Sequence, residues 1–248
     1  MTKAVLVTGG SRGIGAATAL LLAKNGYDVA VNFQSNLTAA GKIVRAVEAE
    51  GRKALAVQGD VAKEADVTRM FGAVEERLGP LYGLVNNAGI TGRIGRLDDA
   101  AAETIQSVMD INVVGAILCA REAVKRMSTK HGGQGGVIVN ISSVAATLGS
   151  PNTYVWYAAS KGAIDALTLG LGLEVAREGI RVVGVAAGLT DTDLHAAGGE
   201  PERAQKVGPA VPLGRAGKPE EIAAAVAWLM SDAARYCTAT TLRVGGGR

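Results

Sequence analysis

The sequence predicts a doubly wound α/β fold, with helices covering both faces of a seven-stranded parallel sheet. Three observations predict it. Short β-branched runs alternate with longer amphipathic stretches along all 248 residues. A glycine-rich turn joins the first strand to the first helix. No linker, internal repeat or low-complexity tail interrupts the pattern, so residues 1–248 are expected to form a single domain.

The elements follow in order. "KAVLVTG" at 3–9 is a compact valine-rich strand, and the helical stretch 14–25 follows its glycine turn. "DVAVNF" at 28–33 and "KALAVQGD" at 53–60 are the next strands, trailed by amphipathic segments at 37–50 and 63–78. "LYGLVNNAG" at 81–89 leads into one long helix-like stretch, 100–128. "GVIVNISS" at 136–143 precedes a helix at 155–177, and "IRVVGVAAG" at 180–188 precedes one at 219–230. "TTLRVGG" at 240–246 closes the series. Ligands of such a sheet bind beyond the carboxyl ends of its strands, which fall at one edge. At that edge the Gly- and Pro-rich segment "GLTDTDLHAAGGEPERAQKVGPAVP", 188–212, breaks the alternation. A long irregular connection there is expected to act as a lid or substrate loop.

Composition excludes several classes. Hydrophobic residues make up 48% and charged residues 20%, ordinary for a globular protein with a large core. A net charge of only +3, with no block of like charges, argues against nucleic acid or membrane partners. Cys119 and Cys237 are too few and too far apart for a disulfide framework, and two buried thiols are expected. The stretch 131–160 lacks Asp, Glu, Lys and Arg, yet its Asn, Ser, Pro and Gly content excludes a membrane span. The opening "MTKAVLVTGG" carries no leader pattern, and a cytoplasmic location is expected. His131 and His195 have no Cys, Asp or Glu partner at metal-ligand spacing, so no metal site is expected. His195, in the expected lid, is a possible substrate contact.

The turn "TGGSRGIG", Thr8 to Gly15, carries the first chemical signal. Gly9, Gly13 and Gly15 permit a tight turn, close backbone approach to a pyrophosphate and tight helix packing. Ser11, Arg12 and Ile14 share that turn, and the helix beginning there offers unpaired N–H groups to phosphates. Selection between nucleotides is read at the end of the second strand, where an acidic residue would hold a ribose 2′-OH. Here the strand ends with Asn32, Phe33 and Gln34, without a carboxylate. The missing anion and the added cation of Arg12 favour NADP, with NAD use possible.

The second signal is "TYVWYAASK", Thr153 to Lys161. Lys161 lies four residues after Tyr157, one helical turn away on the same face. Tyr154 has only Ala158 at that distance, which can tune nothing. An ammonium about 5 Å away, at an effective dielectric of roughly 20, favours the phenolate by roughly 3 kcal/mol. That is expected to lower the Tyr157 pKa by about two units.

With "TGGSRGIG", "NNAG" at Asn86 to Gly89, and "YAASK" in one chain, the sequence resembles the short-chain dehydrogenase/reductase family over essentially its whole length. It is most similar to the 3-oxoacyl-[acyl-carrier-protein] reductases and bacterial glucose 1-dehydrogenases of that family, whose members have a Rossmann fold and commonly form dimers or tetramers. The resemblance implies a catalytic tetrad of Asn112, Ser143, Tyr157 and Lys161. It also implies that Asp60 and Val61 contact the adenine, and that Asn87, Ala88 and Gly89 contact the ribose. Tyr157 and Lys161 would likewise touch the cofactor, with Gly188, Thr190 and Thr192 beside the nicotinamide carboxamide. Asn112 would hold a water linking Lys161 to solvent. Blander roles stay open: Asp60 capping the next helix, Asn112 as a helix-bending amide, and Asn86 tying adjacent strands.

The chain departs from the family at two backbone positions. Ala187 precedes Gly188 where proline is usual, and Ala239 stands where glycine is usual. Both are expected to affect the nicotinamide wall, the cofactor affinity or the lid. In "AREGIRV", Glu178 replaces the arginine expected of a carrier-protein reductase, although Arg177 is adjacent. The expected activity is NADP-dependent interconversion of a carbonyl and a secondary alcohol, on a small ketone, aldehyde or sugar. The alternatives are a 3-oxoacyl-[acyl-carrier-protein] reductase and a catalytically silent NADP-binding regulator. Apolar runs such as "VVGAILCA" and "ALTLGLGL" predict a homo-oligomer, a tetramer or a dimer.

Overall fold

A computed structural model describes residues 3–248. Seven parallel strands form one sheet: β1 (Lys3–Val7), β2 (Tyr27–Phe33), β3 (Ala54–Gln58), β4 (Leu81–Asn86), β5 (Gly136–Ser143), β6 (Ile180–Ala187) and β7 (Thr240–Val244). Their order is β3-β2-β1-β4-β5-β6-β7, the Rossmann arrangement. Chain direction across the sheet reverses between β1 and β4, and that switch point opens a crevice beyond the strand ends.

Two apolar layers hold the sheet. In β1, Val5 and Val7 face one layer while Ala4 and Leu6 face the other, and all four are fully buried. The first layer packs α1 (Gly13–Lys24), α2 (Leu37–Ala49) and α10 (Pro219–Met230) through residues such as Leu22, Val47 and Val226. The second packs α3 (Glu64–Leu78), α5 (Ala116–Met127) and α7 (Val155–Val175) through Phe71, Met127 and Val175. Cys119 is buried in the second layer, which pushes its thiol up to about 12, whereas Cys237 is only half-buried. Among the described residues, no helix is long and apolar enough to cross a membrane.

The single helix expected over 100–128 is in fact α4 (Ala102–Met109), a π turn at Asp110–Gly115, and α5. Sequence periodicity cannot see this, because α and π turns use nearly the same backbone angles. Asn112 sits in the π turn, and a Cβ at Gly115 would lie 2.8 Å from the Val61 side chain. The turn is thereby pressed against the loop after β3. A short helix, α6 (Ala145–Leu148), was also not predicted. The irregular segment 188–212 contains α8 (Leu194–Ala197) and α9 (Arg203–Val207). It is tied down by the Ile94 N–H donating to the Gly198 carbonyl at 3.0 Å.

The two departures from the family pattern have different consequences. Ala187 needs no proline ring to hold its place, because its carbonyl accepts from the Val144 N–H at 3.0 Å and the Ser143 hydroxyl at 3.2 Å. Ala239 is strained: its φ of +53° lies in the left-handed region that glycine occupies without cost. Gly172 of α7 packs so closely that a Cβ there would lie 2.7 Å from the Ala239 Cα. Ala239→Gly is therefore expected to stabilise the fold by roughly 0.5–1 kcal/mol, after allowing for glycine's looser unfolded chain. Urea denaturation of the two proteins measures this; a destabilised glycine variant would contradict the strain argument.

Candidate active site

The glycine turn after β1 is shaped by backbone necessity. Gly9 has φ +59°, and a Cβ on it would lie 3.0 Å from the Ala88 Cα. Four side-chain contacts hold it. Asn32 Oδ1 accepts from the Gly9 N–H at 3.1 Å, and Asn87 Nδ2 donates to the Thr8 and Gly9 carbonyls at 2.9 and 3.1 Å. Thr8 Oγ1 accepts from the Asn87 N–H at 2.9 Å. No side chain caps α1, so its first-turn amides remain available to an anion.

A cleft of about 710 Å³ runs from this turn along the ends of the strands to α8 and α9. It brings together Gly9, Ser11, Arg12, Gly13, Ile14, Asn32, Phe33 and Gln34 from the first two βα connections. Asp60, Val61 and Asn87 to Gly89 line it next, followed by Ser143, Tyr157, Lys161, Gly188, Thr190 and Thr192. Two predicted residues lie outside. Gly15 is beneath the turn, where a Cβ would sit 2.5 Å from Asn87 Nδ2, so its role is packing. Asn112 is buried behind the wall.

Several lining residues spend their polar groups on the protein. The Asn32 amide also donates to the Gly59 carbonyl at 3.0 Å, which makes it a brace between the glycine turn and β3. Asp60 Oδ1 accepts from the Ala62 N–H at 3.0 Å and Oδ2 from Gln34 Nε2 at 3.3 Å. It shapes the turn after β3, ahead of α3, rather than capping that helix. Asn86 ties β4 to β5 by donating to Asn140 Oδ1 at 3.0 Å. Asn112 donates to the Ile90 carbonyl at 2.9 Å and to Ser160 Oγ at 3.0 Å, and accepts from the Ile90 N–H at 2.9 Å. Both amide protons are thus committed, and its side chain clamps the π turn to the loop after β4.

Ser143, Tyr157 and Lys161 meet at the centre of the cleft. Ser143 comes from the end of β5, and its hydroxyl accepts from the Ala145 N–H at 3.1 Å. Ser142, the alternative serine, is buried and donates to the Lys161 carbonyl. Tyr157 and Lys161 lie on α7, with the amine 5.7 Å from the centre of the phenol ring. Lys161 Nζ donates to the Ile141 carbonyl at 2.7 Å. A Cβ on Gly89 would lie 3.2 Å from Asn112 Oδ1 and 3.7 Å from Lys161 Nζ, which locates all three at one point.

The electrostatics overturn the expectation for Tyr157. Burial pushes its phenol above the ordinary tyrosine value, with Tyr154 adding to the shift and the Ser143 hydroxyl opposing it. Burial also lowers Lys161 from 10.5 to about 8, partly offset by Asp165. Spacing along a helix predicted the attraction between the two groups but not the cost of removing both from water. The buried phenol holds its proton and is not an activated base.

Tyr154, set aside on spacing, lines the cleft with its ring edge-on to Tyr157 at 5.1 Å between centroids. Arg203 of α9 lies over the Tyr154 ring, 5.3 Å from its centroid. His195 is 8% exposed and lines the same cleft. Arg203 had no sequence signal, because its partner Tyr154 comes from across the fold, whereas Tyr154 stood three residues from Tyr157 and was discounted for having only alanine one turn on. Thr8 did have one: it is the hydroxyl residue between the strand and the glycines.

An anion cradle at a helix N-terminus, opening onto a partly buried serine and a buried tyrosine and lysine, defines a dinucleotide-binding oxidoreductase. Residues 9–248 match a family profile described as enoyl-(acyl carrier protein) reductase. The chain belongs to the short-chain dehydrogenase/reductase family. It is 53% identical over 243 residues to the uncharacterized oxidoreductase YgfF of Escherichia coli (strain K12), covering 98% of each chain. A short-chain dehydrogenase from Burkholderia cenocepacia J2315 in complex with NADP superposes with a TM-score of 0.90 at 36% identity, over 99% of this chain and 97% of the other. The acetoin dehydrogenase YohF of Salmonella typhimurium gives 0.88 at 34% identity, over 100% and 97%.

Proposed function

We propose that this protein is an NADP-dependent oxidoreductase that interconverts a carbonyl and a secondary alcohol on a small ketone, aldehyde or sugar, with Tyr157 as the acid/base. The observation carrying this reading is the buried Tyr157 phenol, protonated and beside the Ser143 hydroxyl at the centre of the cleft. A carbonyl receiving a hydride develops an alkoxide, which needs a proton and a polarising hydrogen bond. Tyr157 supplies the proton and Ser143 the hydrogen bond. Lys161, held by the Ile141 carbonyl, keeps a positive charge near the phenol below about pH 8.

The chain's own residues fit the nucleotide. The glycine turn has no room for a Cβ at Gly9, and the uncapped start of α1 suits a pyrophosphate. Arg12 lines the cleft and has no salt bridge among the described residues, while Gln34 stands where an acidic residue would select NAD. These features favour NADP, and the NADP complex of the Burkholderia relative agrees. When bound, the nicotinamide supplies or takes the hydride. The acetoin dehydrogenase likeness supports a small, oxygenated substrate.

A carrier-protein thioester is less favoured, because Glu178 occupies the expected arginine position and its carboxylate accepts from Ser128 Oγ at 2.5 Å. Val114, Ile117, Leu169 and Leu173 are 44 to 68% exposed, and such apolar surface on α5, α7 and the π turn supports a homo-oligomer, which light scattering reads directly. The activity is tested by following NADPH consumption with sugars, simple ketones, quinones, and 3-oxoacyl and enoyl thioesters. Turnover of a small carbonyl compound is expected. Tight NADPH binding with no turnover across the panel would instead favour a silent nucleotide-binding regulator.

A further inference from the structure

Within the described residues, only five buried side-chain polar atoms lack a hydrogen-bond partner, and two belong to the short segment from α8 to α9. These are His195 Nδ1 and Arg203 Nε. Both residues line the cleft. A buried polar atom left unpaired is costly, so two in one segment call for a partner.

Their chemistry specifies that partner. His195 Nε2 lies 2.9 Å from the Thr190 carbonyl, which can only accept, so Nε2 carries the ring proton. In the neutral imidazole Nδ1 is then an acceptor, and burial lowers the histidine pKa and favours that neutral form. Arg203 Nε can only donate, as can every guanidinium nitrogen, and Nη1 of the same group already donates to Glu200 Oε2 at 2.7 Å. An orphan acceptor and an orphan donor together match a hydroxyl group, which gives one hydrogen bond and takes another. A carboxylate oxygen would leave Nδ1 facing a lone pair. The Arg203 guanidinium, moreover, already has a carboxylate partner in Glu200 at 2.7 Å.

Position relates this pair to the reaction centre. Tyr154 links Arg203 to it, with its ring 5.1 Å from the Tyr157 ring and 5.3 Å from the Arg203 guanidinium. A substrate whose carbonyl meets Tyr157 therefore directs its remaining carbon chain over Tyr154 toward His195 and Arg203. In this conformation both orphan atoms are shut off from solvent, so an incoming oxygen must displace the α8–α9 segment slightly.

We propose that His195 and Arg203 form a specificity subsite for a substrate hydroxyl, which makes neutral hydroxylated carbonyl compounds, rather than plain ketones or oxo acids, the preferred substrates. This rests on the carbonyl reductase reading above and narrows its substrate class. The two are specificity residues; neither is placed at the reacting atoms.

The test is a ladder of matched substrates followed by NADPH consumption. Hydroxyacetone, 4-hydroxybutan-2-one and 5-hydroxypentan-2-one are compared with acetone, butan-2-one and pentan-2-one, with 4-oxopentanoate as the anionic probe. At least one hydroxy ketone is expected to exceed its plain ketone about tenfold or more in kcat/KM. His195→Phe and Arg203→Met should each erase that preference and leave the plain ketone within about twofold. Arg203→Lys, which keeps the charge but lacks Nε, should behave like Arg203→Met, and unchanged NADPH fluorescence titration certifies folding. Equal loss on both members of a pair, no preference in the wild type, or a preference for 4-oxopentanoate would each overturn the subsite. Failure to reduce any carbonyl probe despite NADPH binding would instead overturn the reductase reading beneath it.

Discussion

Tyr157→Phe is expected to lower kcat/KM for carbonyl reduction by about a thousandfold or more, with NADPH binding intact. A positioned general acid contributes roughly 10²–10⁴ in rate, and here it is the group set to deliver the final proton to the alkoxide. The substitution removes one oxygen and little else. Tyr157 is almost wholly buried, and its ring keeps its contact with Tyr154 at 5.1 Å when it becomes phenylalanine. The Ser143 hydroxyl retains its bonds to Ala187 and Ala145. Steady-state reduction and a parallel nucleotide titration make the measurement. A variant that reduces at the wild-type rate would remove Tyr157 from the chemistry.

Lys161→Met should do two opposed things: abolish most activity and stabilise the nucleotide-free fold. Lys161 is 5% exposed, and its amine donates to the Ile141 carbonyl at 2.7 Å. Its folded pKa of about 8 lies below the ordinary 10.5 because burial penalises the ammonium. Between those values the unfolded chain binds the extra proton, so wild-type stability rises with pH from about 8 to 10.5. Below pH 8 the whole penalty is present, about 3 kcal/mol. Methionine escapes it but forfeits a hydrogen bond worth about 1 kcal/mol, leaving a gain of about 2 kcal/mol at pH 7. Urea denaturation of both proteins at pH 7 and pH 10 should show that gap shrink at the higher pH. A gap of constant size would mean that the buried charge is not its source. Stability given up at a reacting group in this way is the usual trade between fold and function.

The same titration bears on direction. The phenol is protonated across the physiological range, which suits reduction, and the neighbouring ammonium fades above about pH 8. Spacing on a helix had suggested an activated phenolate; burial of both groups reverses that.

Periodicity and turn chemistry are local, and they were enough for the strands, for the glycine turn and for pairing Tyr157 with Lys161. Ser143 was chosen over Ser142 only through the family resemblance, and in the structure Ser142 turns away to the Lys161 carbonyl. The π turn at Asp110–Gly115 was invisible because its backbone angles resemble those of the helices flanking it. Asn32, expected at the second strand's end, and Asn87, expected from the family resemblance, both line the cleft, and in three dimensions their amides also brace the glycine turn.

By itself, then, the sequence determined a seven-stranded Rossmann sheet, its glycine turn and the family the chain belongs to. The sheet and the turn follow from residue spacing along one element or across one turn, and the family from motifs taken together. Only the tertiary structure decided the protonation of Tyr157 and Lys161, the structural duty of Asn112, and the meeting of Tyr154, His195 and Arg203. Those depend on burial and on contacts between elements far apart in the chain, where solvent exclusion sets the energy and spacing carries no information.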